Sequence, residues 1–210
     1  MLTLEDIELL FSRHGIVQYS GEPVTQLEHA LQTAHLAEQS DASDELVTAC
    51  LLHDLGHLLY FAAPTLPSVA APRGGSGALG AARRAPEQGE TPTLRGIDDT
   101  HQYYALPFLR GLFPSAVLDA IKLHVDAKRY LCRANDGYRA KLSDDSKRSL
   151  ALQGGVFDDA QASTFIAQPA ARDAVMLRQW DDLAKQEDWH TPSLAHFMTR
   201  AARCVSTAAA

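Results

Sequence analysis

Apolar residues recur along this chain at intervals of three and four, the spacing that places side chains on one face of an α-helix. Leu4, Ile7 and Leu10 show this spacing near the start, and Leu27 and Leu31 repeat it further on. No segment alternates as a half-buried strand would. Further helices are predicted at about 44–60, 98–110, 115–132, 144–152, 158–167, 170–187 and 193–206. The 210 residues are therefore predicted to form a single all-α domain, a helical bundle spanning 1–210.

The segment from about 62 to 96 departs from this pattern because it is rich in Ala, Gly and Pro. Such a composition predicts a long surface loop, and loops longer than about 15 residues are uncommon in compact domains. One interpretation is a merely flexible connection. The other is a lid, because Arg73, Arg83 and Arg84 could close over an anion.

Charge and cysteine content exclude some classes of protein. Lys and Arg total 19 against 26 Asp and Glu, and a net charge of −7 is unfavourable for binding nucleic acid. Three cysteines without metal-ligand spacing indicate a reducing compartment rather than a disulfide framework. No secretory leader and no apolar run of about 20 residues is evident. We therefore expect a cytoplasmic protein without a membrane or nucleic-acid partner.

The dipeptide His53-Asp54, followed by His57, is the first candidate site in a chain with nine histidines. On a helix His53 and His57 would lie about 40° apart, so a cation on that side could contact both an imidazole and a carboxylate. A dipeptide of this kind often arises by chance. Its apolar neighbours favour a function, because a buried His-Asp pair needs a partner to offset its desolvation.

Other histidines and acids lie on the predicted apolar faces of helices. His35 shares a stripe with Glu28, seven residues earlier, and His101, His124 and Asp181 each lie on an inward face. Taken singly, each is more simply explained as a core histidine or a surface acid. Together they favour a metal cluster, and six nitrogen and oxygen ligands suit two ions better than one tetrahedral zinc. The central carboxylate of Asp54 would bridge the two ions.

The order of these residues resembles the pattern of dinuclear HD-domain proteins. These form an all-α superfamily of metal-dependent phosphohydrolases with a diiron oxygenase branch. Four strings resemble the HD-domain oxygenases of phosphonate degradation, and they lie at residues 26–30, 96–99, 124–131 and 148–155. With further matches at 172–175 and 180–182, the resemblance covers nearly the whole chain except residues 62–95.

The resemblance implies a role for each matching residue. One iron would be held by His35, His53, Asp54 and Asp181, and the other by Asp54, His101 and His124. His57 and Lys128 would bind the phosphonate, and Ser146, Ser149 and Gln153 are candidate hydrogen-bond donors to it, with capping or surface exposure as the alternative. Glu28 would contact an amino or ammonium group of the substrate or form part of a gate.

The chain departs from the family pattern at one position. In some family members a tyrosine lies three residues before the glutamate that matches Glu28, and this tyrosine occupies an iron position until substrate arrives. Thr25 stands there in this chain, and Tyr19 is the candidate to replace it.

The resemblance implies a mixed-valent diiron (Fe²⁺/Fe³⁺) oxygenase that uses O2 to cleave the carbon–phosphorus bond of a 1-hydroxyphosphonate. The products would be phosphate and a carboxylic acid, and the implied substrate is 2-amino-1-hydroxyethylphosphonate or an N-methylated relative. The alternative is a metal-dependent phosphohydrolase that acts on a nucleotide or another phosphate ester, because the ligand spacing is common to both. A metal-free regulatory module is disfavoured because no ligand position is lost.

Overall fold

The computed structural model describes residues 1–19, 21–62 and 92–206. Within these residues the fold is all-α, as predicted, and isolated bridges take the place of strands. The helices are α1 (Leu4–His14), α2 (Gln26–Gln39), α3 (Asp44–Leu52), α4 (Leu55–Ala62), α5 (His101–Tyr104), α6 (Leu106–Leu109), α7 (Ser115–Ala134), α8 (Tyr138–Lys141), α9 (Asp144–Leu152), α10 (Asp159–Ile166), α11 (Ala171–Leu183) and α12 (Leu194–Arg203), with a 3₁₀ turn at Thr93–Arg95.

Helix α3 lies at the centre of the main core. Every residue from Leu46 to Leu52 is buried, which explains why this helix reads as apolar on all sides in the sequence. It packs against α2, α7 and α12, and α7 in turn packs along α11. A second, smaller core includes Phe157 and Phe165 and lies against the later part of α7. The long helix α7 therefore joins both cores.

Two predicted helices are interrupted, and both interruptions lie at candidate site residues. The segment predicted at 44–60 divides at His53 and Asp54, which lie between the end of α3 and the start of α4. The segment predicted at 98–110 becomes α5 and α6, which follow Thr100 in a left-handed conformation with φ 49°. The start of α4 and the start of α5 approach each other closely where Gly56 meets the backbone carbonyl of His101. A Cβ on Gly56 would lie 2.2 Å from the backbone oxygen of His101, so only glycine permits this packing.

Most of the predicted loop at 62–96 lies outside the described residues, namely 63–91. The described part of that segment contains the end of α4 and the turn Thr93–Arg95. None of the described helices is long and apolar enough to cross a bilayer.

Candidate metal centre and anion cavity

Six buried or nearly buried side chains converge where α2, α3, α5, α7 and α11 meet. They form two adjoining triads whose potential ligand atoms lie within 4.8 Å of one another, and the triads consist of His29, His53 and Asp181 and of Asp54, His101 and His124. Five of these six residues are the ones that sequence reasoning selected; the sixth, His29, replaces His35.

Hydrogen bonds at Nδ1 orient the imidazole rings. The Nδ1 atoms of His29, His53 and His124 lie 2.8, 2.8 and 2.6 Å from the backbone oxygens of Ala184, Cys50 and Ile121, respectively. A carbonyl oxygen can only accept, so each of these Nδ1 atoms carries the hydrogen. In a neutral ring the other nitrogen, Nε2, then bears a lone pair that is available to a cation.

His101 is oriented in the same way by a carboxylate, because its Nδ1 lies 2.8 Å from Oδ1 of Asp99. Acceptors therefore hold the Nδ1 side of all four rings in the two triads. Partners of this kind behind a histidine are typical of metal ligands, whose ring orientation they fix.

The Nε2 atoms face one another in pairs. His29 and His53 bring theirs to 3.2 Å, and His101 and His124 bring theirs to 3.1 Å. Two unprotonated nitrogens at this distance repel each other unless a cation or a proton lies between them. Burial, together with the neighbouring imidazoles of His101 and His53, holds the pKa of His124 well below its usual value, so this ring is neutral. The donor set therefore fits metal ions.

Carboxylates complete both triads. Burial would raise the pKa of Asp54, but the imidazoles of His53 and His101 hold it well below the usual range, so Asp54 is ionised. Its Oδ2 lies 3.4 Å from Nε2 of His53, and its Oδ1 lies 3.2 Å from Nε2 of His101. One oxygen thus faces each triad, as a bridging ligand requires. Asp181 adds a buried Oδ1 that lies 3.4 Å from Nε2 of His29. Nitrogen and carboxylate donors of this kind suit borderline and hard ions, including iron.

The structure corrects the prediction for His35. Its ring lies edge-on to Trp189 at 6.0 Å, and its Nδ1 is 3.9 Å from Oε2 of Glu38, away from both triads. Because helical residues turn by about 100° each, His35 lies about 120° around α2 from His29, so the two cannot face the same centre. Helix α2 is buried on more than one side, and periodicity alone did not show which buried side faces the other ligands.

The structure also corrects the prediction for Glu28, which is exposed at the start of α2. Its carboxylate accepts a hydrogen bond of 2.7 Å from the backbone N–H of Thr25, while the Thr25 hydroxyl accepts one from the N–H of Glu28. This reciprocal pair is a capping box, and the motif Thr-x-x-Glu is visible in the sequence. Had the motif been used to fix the start of α2, Glu28 would have been assigned to the cap.

A cavity opens from the two triads toward solvent. All five other predicted substrate-binding residues line it, namely His57, Lys128, Ser146, Ser149 and Gln153. The Lys128 side chain is buried, and its ammonium donates a hydrogen bond of 2.7 Å to the hydroxyl of Ser149. Gln153 contributes a buried Oε1 without a hydrogen-bond partner among the described residues. The sequence-predicted phosphonate residues therefore share one cavity with candidate metal ligands.

Three cavity residues carry charge that the sequence did not reveal in full. Arg178 is 5% exposed, lines the cavity and donates to Oδ2 of Asp181 at 2.6 Å. Burial and the adjacent Arg178 lower the pKa of Lys128 to about 7. Burial would lower the pKa of His57, but the carboxylate of Asp99 raises it to about 9. The cavity lining thus includes three basic groups, which could bind an anion, together with the carboxylates of Asp98, Asp99 and Asp145.

Tyr19 covers the first triad. Its ring stacks on His29 with centroids 3.8 Å apart and planes 12° apart. Burial, together with the carboxylates of Asp54 and Asp181, raises the pKa of the phenol well above its usual value, so the phenol is protonated. Tyr19, the candidate to replace the tyrosine absent at Thr25, therefore lies against the first triad.

Comparison with known proteins identifies the class. No family model matches the chain. It is 39% identical over 196 residues to the hydroxymethylphosphonate dioxygenase of Gimesia maris, a match that covers 93% of this chain and 85% of the relative. The chain therefore belongs to the family of phosphonate dioxygenases, and it is an oxygenase.

Two further relatives extend this comparison. The [1-hydroxy-2-(trimethylamino)ethyl]phosphonate dioxygenase (glycine-betaine-forming) of Leisingera caerulea is 33% identical over 206 residues, covering 96% of this chain and 90% of that protein. The uncharacterized protein L432 of Acanthamoeba polyphaga mimivirus is 29% identical over 178 residues, covering 84% of this chain and 69% of that protein.

Proposed function

We propose that this protein uses O2 to cleave the carbon–phosphorus bond of a 1-hydroxyphosphonate. The reaction balances as one 1-hydroxyphosphonate and one O2 giving one carboxylic acid and one phosphate, with C1 oxidised and O2 reduced. The observation that carries the proposal is the cavity in which Lys128, His57 and Arg178 gather beside the two triads. An anionic substrate bound there would have its reacting carbon next to the metal centre.

The proposal includes two iron ions. One would be held by His29, His53, Asp181 and one oxygen of Asp54, and the other by His101, His124 and the second oxygen of Asp54. When bound, iron would supply the redox chemistry with O2 that the side chains of this cavity lack. The facing pairs of Nε2 atoms support this assignment, since a cation held between them would offset the repulsion of their lone pairs.

The chain's own residues would bind and orient the substrate. The Lys128 ammonium and His57 would contact the phosphonate oxygens, with Ser149 beside Lys128 as a further donor. Gln153 also lines the cavity, where its side-chain amide N–H could donate a hydrogen bond to the same group. Tyr19 would exclude water from the first triad by stacking on His29. These contacts would align C1 of the substrate with the metal centre.

Measurements of O2 uptake and phosphate release test the proposal. The purified iron-loaded protein should consume one O2 for each phosphate released, and neither should occur without a 1-hydroxyphosphonate. Hydroxymethylphosphonate, 2-amino-1-hydroxyethylphosphonate and its N-trimethyl derivative are compared, because Glu28 caps α2 and is not among the residues that line the cavity. Phosphate release under anaerobic conditions, or turnover of a nucleotide at a similar rate, would refute the proposal and favour a phosphohydrolase.

Metal analysis tests the iron assignment separately. We expect about two irons per chain, and Asp54→Ala should lose both because one carboxylate faces both triads. A single zinc per chain that Asp54→Ala retains would contradict the assignment.

A further inference from the structure

The carboxylate of Asp99 spans two histidines that have different proposed roles. Its Oδ1 lies 2.8 Å from Nδ1 of His101, and its Oδ2 lies 2.9 Å from Nδ1 of His57. His101 belongs to a proposed metal triad, whereas His57 lines the cavity and is proposed to bind the phosphonate. The two rings stack with centroids 4.3 Å apart. A single side chain thus contacts both parts of the site.

The backbone around Asp99 is held in place on both sides. Thr100 adopts the left-handed conformation, which is uncommon for a residue with a side chain, and Oδ1 of Asp99 also lies 3.3 Å from the backbone nitrogen of His101. The close approach of Gly56 fixes the carbonyl of His101 from the other side. Because this loop is fixed, Asp99 can determine where both imidazoles point.

We propose that Asp99 is a positioning residue that couples the metal centre to phosphonate binding. By accepting from Nδ1 of His101, it directs the Nε2 lone pair of that ring to the cation. By occupying Nδ1 of His57, it leaves Nε2 as the nitrogen that faces the cavity. This inference rests on the proposed function and adds to it a residue that acts through His57 and His101.

Asp99→Asn tests the inference with little change in shape, since one oxygen remains and one acceptor becomes a donor. Asp98→Asn is the matched control, because the neighbouring carboxylate bonds only the backbone N–H of Thr100 among the described residues. Iron affinity, measured by competition with a chelator, should fall about 10- to 100-fold in Asp99→Asn, as expected for loss of a partner behind a metal ligand. It should be unchanged in Asp98→Asn.

A double-mutant cycle with His57→Ala separates positioning from a general structural effect. Asp99→Asn should raise the KM for the phosphonate about tenfold in the wild type, but should leave it unchanged when His57 is already absent. The weaker iron binding should persist in the double variant, because it acts through His101. Thermal melts establish that each variant is folded. If Asp99→Asn does not fold, Asp99→Glu takes its place.

Two results would overturn the inference. One is an equal rise in KM with and without His57, and the other is iron affinity in Asp99→Asn equal to that of Asp98→Asn. A wild-type protein without O2-dependent turnover would instead refute the proposed function, and the iron-affinity comparison would still test the contact with His101.

Discussion

The substitution Lys128→Met removes one buried positive charge from the cavity. Methionine retains most of the volume of the lysine stem and removes the ammonium that donates to Ser149. Lys122, six residues earlier on the same helix α7, is exposed and supplies the matched control, Lys122→Met. Because a protonated ammonium is not a metal ligand, Lys128→Met should retain its iron.

The expected loss follows from the burial of this group. A hydrogen bond to a charged partner contributes about 1.5–3 kcal/mol, and Lys128 is only 3% exposed, so solvent cannot replace it. At about 1.4 kcal/mol for each factor of ten, KM for the phosphonate should rise roughly 10- to 150-fold. Steady-state O2 uptake measures KM, and iron analysis of the same samples checks the centre. An unchanged KM, loss of iron in Lys128→Met, or an equal effect of Lys122→Met would refute this reasoning.

The same substitution has a consequence for stability. In the folded protein the pKa of Lys128 is lowered to about 7 by burial and by Arg178, whereas an unfolded lysine titrates near 10.4. Between these values the unfolded chain binds more protons, so this group makes the free energy of unfolding rise with pH. Between pH 7 and pH 9 its contribution should increase by about 2 kcal/mol, and Lys128→Met should lack that increase. Urea unfolding of both proteins at the two pH values measures the difference; parallel pH dependence would contradict it.

Three further substitutions test particular positions. His29→Ala should lose iron while His35→Ala retains it, because only His29 faces the triads; metal analysis of the pair decides, and equal iron would contradict the assignment. Glu28→Ala should lower the free energy of unfolding by about 0.3–1 kcal/mol by removing the capping box, with KM unchanged; a large rise in KM would restore a substrate role. Gly56→Ala should reduce iron content, since its Cβ would displace the backbone of His101, and normal iron in a folded variant would refute this.

The individual helices could be predicted from sequence because their signals are local. Apolar spacing places α7 and α11 within a few residues of their observed limits, and the inward positions of His124 and Asp181 follow from the same spacing. Such periodicity depends only on the turn of about 100° per residue, so it can be recognised without knowing how the helices pack. The resemblance to known oxygenases supplied the order of the ligands, which periodicity alone leaves open.

The break at His53 and Asp54 depended on tertiary contacts. The apolar pattern continues across it, and the chain turns there because Gly56 packs directly on the carbonyl of His101, a residue from another part of the sequence. The position of Asp99 between two histidines depends on the same approach. A contact between distant segments leaves no periodic signal in either of them.

The sequence by itself determined the all-α class, the helical faces that carry histidine and carboxylate, and the residue types that a metal centre needs. Only the tertiary structure placed His29, rather than His35, beside the other candidate ligands. Both residues are largely buried on α2, and periodicity indicates that a residue is buried but not which other segment it contacts. What distinguishes His29 is that α2 turns it toward His53 and Asp181, where three separate segments bring their ligand atoms together.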